Sequence, residues 1–378
     1  MVAFDDGRNL ADRFRVHASL CSSPLYADLL ANLATDWEAG GVVRQACAGW
    51  EGSPAGSVVQ LRLLAGVHRL VLQGRAPGLQ PYYPSVGGRE PPVGAWAVVR
   101  DVIAANLDEL RSGLALAPQT NEVGRAAALA VGLLDAAWRS GLREIRLLEV
   151  GASAGLNLLV DRFRIEAEGW SWGPPRSPVR LPGAVVGNIV ARPVVIRSRR
   201  GCDLAPVDAS SPEGALLLSS YVWPDQLERF QRLQAALQAA AQHPVRVEAG
   251  AAGPWLERVL DEPVADRVLT VVWHSVTRMY WPPSEVARVN AAIARAGSRF
   301  PLAHVQLEYA DPGPPATVAV PACAAAAAAC PSRAPAAGPR LSVEVWRRGE
   351  PDGRRTDIAQ VADHGVPVRL RDGVTISP

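Results

Sequence analysis

The sequence contains no lysine: all 39 of its Lys-plus-Arg residues are arginines. A Walker-type phosphate lysine, a Schiff-base lysine and a lysine general base are thereby excluded. Cysteine is scarce as well. The five present (Cys21, Cys47, Cys202, Cys323 and Cys330) are odd in number and form no C-x-x-C pair. That argues against a disulfide framework or a structural zinc site and points to a reducing cytoplasm. No His/Cys/carboxylate grouping has metal-ligand spacing, so no metal is expected. No apolar stretch approaches the length of a membrane span. The opening MVAFDDGRNLADRFRVHASL has acids where a signal peptide has basic residues, and it lacks an apolar h-region. Excess charge is also missing: a net +2 suggests neither a nucleic-acid nor a membrane-surface partner. The expected location is cytoplasmic.

What is present fits a globular α/β chain. Apolar content of 48% with 20% charged residues suffices for one or two domains with sizeable cores. Residues 1–140 read as a helical amino-terminal lid domain. Apolar residues recur every three to four positions at Leu61, Leu64, His68 and Leu72, from Trp96 to Leu110, and from Val123 to Trp138. A Gly/Pro-rich connector at 77–94 reads as a long loop. From 141 to 378 the texture becomes α/β. Strands are expected at 145–150, 194–197, 245–248, 268–273 and 303–309, and helices at 155–163, 227–241, 255–260 and 284–296. The Pro/Gly/Trp-rich insertion 169–193 reads as a surface loop or short hairpin. The Ala/Pro-rich segment 311–339 reads as a flexible loop. Two late runs, 341–346 and 366–370, could close a mostly parallel sheet as an antiparallel pair.

The most informative segment is LLEVGASAGLNLL at 147–159, where a buried-strand run enters a glycine-rich turn and then an apolar helix. Such a turn presents backbone N–H groups and a helix N-terminus at the carboxyl edge of a sheet, where open α/β folds bind ligands. The dinucleotide fingerprint G-x-G-x-x-G fails, because Ser153 and Leu156 stand where its later glycines belong. The letters also satisfy G-x-S-x-G, with Ser153 as nucleophile and Asp311 and His364 in the chain order of a hydrolase triad. Against that stand the helical residues upstream and the lack of an HGGG-type oxyanion segment. Gly87-Gly88 has no adjacent histidine.

Glu149, Gly151, Ser153 and Gly155 resemble the first strand and turn of class I S-adenosylmethionine-dependent methyltransferases, an acidic residue followed by Gly-x-Gly-x-Gly. Serine takes the place of the middle glycine. The resemblance implies a Rossmann-like core, S-adenosylmethionine as cofactor and a small-molecule methyl acceptor. It implies that Glu149 attends the charged methionine end, that Gly151, Ser153, Gly155 and Asn157 line the cofactor, and that Asp203 holds the ribose hydroxyls, with Asp208 in reserve. The aspartate usual after the third strand has no counterpart in 247–252, leaving backbone near Gly250 for the adenine. Trp273-His274-Ser275 stands where such enzymes present catalytic or substrate-contacting residues. If the acceptor must lose a proton, His274 is the first candidate base and Asp225 the second. The whole chain is also similar to an uncharacterised bacterial family built on this core, on PQTNEVGR at 118–125, EVGASAGLNLL, YVWPDQ at 221–226 and HSV at 274–276. That likeness names no substrate. A non-catalytic protein keeping the same cofactor pocket is the alternative from another class, and the serine hydrolase comes third.

Other residues carry two readings each. Thr120-Asn121-Glu122 makes sense as a helix N-cap with an early acid, worth about 1 kcal/mol. Alternatively Asn121, Glu122 and Arg125 project from a lid over the cleft. Tyr221, Trp223 and Ser275 are candidate substrate or lid contacts, although Trp223-Pro224-Asp225 also reads as a helix start with Trp223 as packing anchor. His68 falls on an apolar helical face and reads as a core histidine, while His17, His243 and His304 carry no constellation. Arg197, Arg199 and Arg200 form a basic cluster that is either a solvated edge or a grip on an acidic substrate. The oligomeric state is not legible.

Overall fold

The computed structural model describes residues 8–190, 194–310, 338–347, 350–351, 355–374 and 376. The amino-terminal part is helical, as its periodicity requires. α1 (Leu10–Leu20) starts on Asn9, whose Oδ1 accepts the Asp12 N–H at 2.9 Å. α2 (Pro24–Glu38) starts on Ser23, whose Oγ accepts the Tyr26 N–H at 3.0 Å, with proline in the first turn. α3 (Val42–Ala46), α4 (Val59–Leu72), α5 (Ala95–Ala105) and α6 (Leu107–Gly113) follow. The periodic run from Trp96 to Leu110 is carried by two helices, because Asn106 leaves helical geometry. These helices enclose one apolar cluster, running from Leu10 to Leu114 and taking in Trp223 from far along the chain.

α7 (Ala126–Ser140) is different. Every residue from Ala126 to Ala137 is buried, the pattern of a helix covered on all sides. Its apolar residues belong to the cluster built on the β-sheet. Gly132 permits the close approach, since a Cβ there would collide with the Val305 side chain.

The sheet is mixed. Its strands are β1 (Glu144–Val150), β2 (Arg164–Ala167), β3 (Trp170–Trp172), β4 (Arg180–Val186), β5 (Val195–Asp203), β6 (Val247–Ala249), β7 (Val268–Ser275), β8 (Leu302–Glu308), β9 (Arg340–Arg347), β10 (Glu350–Pro351), β11 (Thr356–Val361) and β12 (Val368–Leu370). Their order is β3-β2-β4-β12-β11-β9-β8-β7-β1-β5-β6, with β10 beside β9. β6, β5, β1, β7 and β8 run parallel. β1, β7 and β8 are almost wholly buried, which explains their near-continuous apolar sequences. α8 (Pro212–Ser220) and α9 (Leu227–Gln242) connect β5 to β6, α10 (Ala252–Leu260) connects β6 to β7, and α11 (Pro283–Gly297) connects β7 to β8.

Three expectations are corrected. The helix expected at 155–163 is a 3-10 segment, Leu156–Arg162, with non-helical geometry at Leu159. Arg199 Nη1 donates to the Leu158 carbonyl at 2.7 Å, occupying an oxygen that an α-helix would use internally. The insertion at 169–193, expected as a surface loop or short hairpin, starts in a hairpin but continues as a further strand of the sheet. β3 pairs antiparallel with β2, and β4 joins β2 to the carboxyl-terminal β12, so the segment extends the sheet. The late runs do not pair with each other, because β11 lies between β9 and β12, antiparallel to both. Ile358, Ala359 and Val361 are its buried residues, their alternation interrupted by a register shift between Asp357 and Ala359. Residues 311–337 of the expected loop lie outside the described residues. No described helix is long and apolar enough to cross a membrane.

β5 lies on one side of β1 and β7 on the other. The chain therefore reverses its winding direction at β1, and the carboxyl ends of β1 and β7 mark a topological switch point.

Candidate ligand site at the switch point

Three residues of the turn after β1 have left-handed backbone: Gly151 at φ +69°, Ser153 at +54° and Gly155 at +73°. Gly151 has a second constraint, because a Cβ would run into Thr277 of the loop after β7. The turn is pinned by its neighbours. Asp203, at the end of β5, accepts the Ser153 N–H at 2.8 Å through one oxygen and the Ala205 N–H at 3.0 Å through the other. Its own carbonyl accepts the Gly250 N–H at 2.9 Å.

The segment before α7 covers the same turn. Ser153 Oγ donates to Gln119 Oε1 at 2.5 Å, the Leu156 N–H donates to Asn121 Oδ1 at 2.9 Å, and Asn157 Nδ2 donates to the Glu122 carbonyl at 3.4 Å. Asn121 thus caps the 3-10 segment of another part of the chain. Glu122 caps its own, accepting the Gly124 N–H at 3.2 Å.

Glu149 is 2% exposed. Its Oε1 accepts the Trp273 indole N–H at 3.1 Å, while Oε2 is covered and without a partner among the described residues. Burial pushes its carboxyl up to about 8; the Trp273 hydrogen bond opposes, the Asp203 charge adds, and the Arg125 charge subtracts. Arg125 is also buried, donating through Nη1 to the Ser275 carbonyl at 3.3 Å, with its Nε covered and unpartnered. It acts electrostatically on Glu149 and on the Tyr280 and Tyr309 hydroxyls, yet no ion pair joins it to Glu149 among the described residues. The switch point therefore holds two buried, oppositely charged residue types, each with one covered and unpartnered atom among the described residues.

His274, at the end of β7, is 1% exposed. Its Nδ1 meets Glu308 Oε1 at 2.7 Å and its Nε2 meets His304 Nε2 at 3.0 Å. Burial lowers the His304 pKa well below its ordinary value, with the His274 charge adding. Gln306 Nε2 lies 3.4 Å from His304 Nδ1, so that nitrogen accepts and His304 Nε2 carries the proton. His274 then accepts at Nε2 and donates from Nδ1 to Glu308. The same Glu308 oxygen accepts the Thr277 and Arg278 N–H groups at 3.1 and 3.3 Å. His304 and Glu308 thus join His274 in one buried chain that anchors the loop against Gly151.

The remaining candidates lie apart or are engaged elsewhere. Glu122 makes a buried ion pair with Arg229 at 2.7 Å. Burial alone would raise its carboxyl, but Arg229 and His364 hold it well below the usual range. His364 Nδ1 lies 3.5 Å from Glu122 Oε2, so it stands beside Glu122 while Ser153 Oγ is held by Gln119. Asp311 lies outside the described residues. Tyr221 lines a depression with Gln119, Glu122 and Arg229. Trp223 packs in the amino-terminal cluster, and Asp225 sits beside Tyr26 of α2. Asp208 closes a local turn with Ser210. Arg197, Arg199 and Arg200 pair with Glu144, Asp161 and Glu248 respectively. Glu248, in the middle of β6, is further held by Arg258 at 2.7 Å. Among the described residues no group of three or more His, Cys, Asp or Glu side chains is placed to hold a metal ion.

Trp273 was named only as part of Trp273-His274-Ser275, and Gln119, Thr277 and Glu308 were given no site role by the sequence reading. Glu308 carried a usable signal, since it ends a parallel strand on the same edge as Glu149 and His274.

Fold and site together define a mixed α/β protein with a topological switch point among its parallel strands. The chain matches a family described as an uncharacterized protein conserved in bacteria (DUF2332) over residues 11–369, and it belongs to that family. No curated protein and no solved structure matches it.

Proposed function

We propose that this protein is an S-adenosylmethionine-dependent methyltransferase acting on a small molecule, with the turn after β1 as the cofactor site. One observation carries the reading. Glu149 Oε2 and Arg125 Nε are both buried, both unpartnered and electrostatically coupled without contact. A buried unpaired acceptor and donor are each costly. An α-amino-acid group, with ammonium towards Glu149 and carboxylate towards Arg125, satisfies both. The cofactor carries such a group. Asp203 keeps spare lone pairs for a hydroxyl after accepting two N–H groups. The parallel strand order and the switch point support the same reading.

When bound, the cofactor supplies an electrophilic methyl group. The chain's own task is to position and to exclude water. Gln119, Asn121 and Glu122 cover the turn, which fits a lid role for that segment. His274 spends both ring nitrogens on Glu308 and His304, so its role is to hold the Ser275–Thr277 backbone in place. Neither it nor Asp225 is assigned as the base.

A binding protein without transfer is the second reading. It is favoured by the engagement of both His274 ring nitrogens with Glu308 and His304, which leaves the site with no assigned base. Thermal-shift titration with S-adenosylhomocysteine tests the shared premise. A ligand at about 100 times its dissociation constant stabilises by about 2.7 kcal/mol, and the Glu149→Gln variant should lose most of that gain. Absence of any shift at millimolar S-adenosylhomocysteine and S-adenosylmethionine would sink both readings. Binding without methyl transfer across an acceptor panel would leave the second.

A further inference from the structure

A depression in the surface lies where the segment 119–123 meets the end of α8 and the first half of α9. With its open mouth it encloses about 280 Å³, the scale of a small metabolite, and its inner part is narrow. Val123, Leu218, Val222 and Leu233 give it apolar walls. Its polar lining is rich in donors. Arg229 is 8% exposed; its Nε donates to Glu122 Oε2 at 2.7 Å and its Nη1 to Gln226 Oε1, while Nη2 is neither bonded among the described residues nor closed off. The Thr120 and Tyr221 hydroxyls and Asn121 Nδ2 are open in the same way.

Glu122 also lines the depression, but its charge is spent inwards. Its Oε1 accepts the Gly124 N–H at 3.2 Å and its Oε2 takes Arg229. Further positive charge stands beside Tyr221. His68 Nδ1 lies 3.1 Å from the Ser220 carbonyl, which ties α4 to the end of α8. Arg62 and Arg69, seven residues apart, share one face of α4. Burial raises the Tyr221 hydroxyl pKa, and the charges of these two arginines oppose it. Spare N–H and O–H donors in a positive field suit an anionic head group, and a guanidinium edge matches a carboxylate in shape. The four aliphatic walls suit a short apolar body, which inorganic phosphate lacks.

We propose that this depression binds a small organic carboxylate, with Arg229 Nη2 and the Tyr221 hydroxyl on the head group and the aliphatic walls around the body. The site is distinct from the glycine turn, yet the two share a wall. Gln119 and Asn121 line the depression, and they also hold the turn through Ser153 Oγ at 2.5 Å and the Leu156 N–H at 2.9 Å. An occupant therefore braces the segment that covers the turn. The site does not depend on which ligand the turn takes.

Amide NMR titration of the full chain tests this, with butyrate, its neutral isostere butyramide, and inorganic phosphate. Butyrate should bind saturably and shift the amides of residues 119–122 and Tyr221, and butyramide should bind at least about 10-fold more weakly. Arg229→Lys keeps a cation beside Glu122 but loses the spare guanidinium donors, and it should weaken butyrate by about 10-fold. Bound butyrate should also slow hydrogen exchange at the Leu156 amide, and unchanged exchange there would remove the bracing role. Absence of saturable butyrate binding, equal binding of butyrate and butyramide, tighter binding of inorganic phosphate, shifts confined to residues away from the depression, or normal binding by a folded Arg229→Lys would each overturn the proposal. Should Arg229→Lys fail to fold, Tyr221→Phe takes its place, with a loss of about 10-fold expected and unchanged butyrate affinity overturning the site.

Discussion

Arg125 and Glu149 interact electrostatically at the carboxyl edge of the sheet, each buried and each with an unpartnered atom, and form no ion pair among the described residues. Each side chain is tied to another partner. Arg125 is held back by its bond to the Ser275 carbonyl, and Glu149 by Trp273. The arrangement has consequences for stability as well as for binding.

Glu149 sets a pH dependence whose sign follows from its raised pKa. An unfolded carboxyl ionises near 4.5, whereas the folded one holds its proton to about 8. Its contribution is therefore fully present below 4.5 and is lost as pH rises through the folded value. Glu149→Gln, neutral throughout, should gain on wild type across that window, by a few kcal/mol at about 1.4 kcal/mol per pKa unit. Urea unfolding at a series of pH values reads this directly, and superimposable wild-type and variant profiles would contradict it.

The Glu122–Arg229 pair has the opposite sign. The folded carboxyl is held below its ordinary value, so its contribution is present above that value and lost as pH falls through the folded pKa. Glu122→Gln leaves Arg229 buried and unpaired and should cost about 3–5 kcal/mol at neutral pH. Pairing it with Arg229→Met should recover much of the loss. A single variant of near wild-type stability in denaturant titration would show that the pair carries little.

The histidine chain is readable by nitrogen NMR. His274 should carry a proton on Nδ1 and His304 on Nε2, with His304 neutral at pH 7 because burial lowers its pKa. Glu308→Ala should speed amide exchange at Thr277 and Arg278, whose N–H groups lose their acceptor. Unchanged exchange there would mean that something else holds the loop.

Gly151→Ala combines a left-handed φ with a collision at Thr277 and should destabilise by about 1–3 kcal/mol. Ligand affinity at the turn should fall with it. Substituting Gly141, also left-handed but with open space around it, should cost only the backbone strain, which makes it the control in the same thermal melts.

The central parallel strands were legible because burial on both faces leaves near-continuous apolar runs, and β1, β7 and β8 lie within a residue or two of expectation. β2, β3, β4 and β12 were not. They are short, and β4 pairs with a strand nearly two hundred residues away, which no local pattern encodes. Glu149, Ser153 and Asp203 were legible as a turn flanked by acids at strand ends. Asn121 was legible as a helix cap or a lid residue but not as the partner of the Leu156 N–H, because that bond depends on α7 lying across the sheet. Gln119 and Glu308 act through partners distant in sequence, so their roles exist only in the folded chain.

The most direct test of the central claim is calorimetric titration of S-adenosylhomocysteine near pH 7 in buffers of different ionisation enthalpy. Glu149 is protonated in the free protein at that pH and must ionise to receive an ammonium group. Binding should therefore release close to one proton, and Glu149→Gln should bind more weakly with no release. Absence of binding, or binding by both proteins with no dependence on the buffer, would contradict the assignment of Glu149 to the amino-acid end of the ligand.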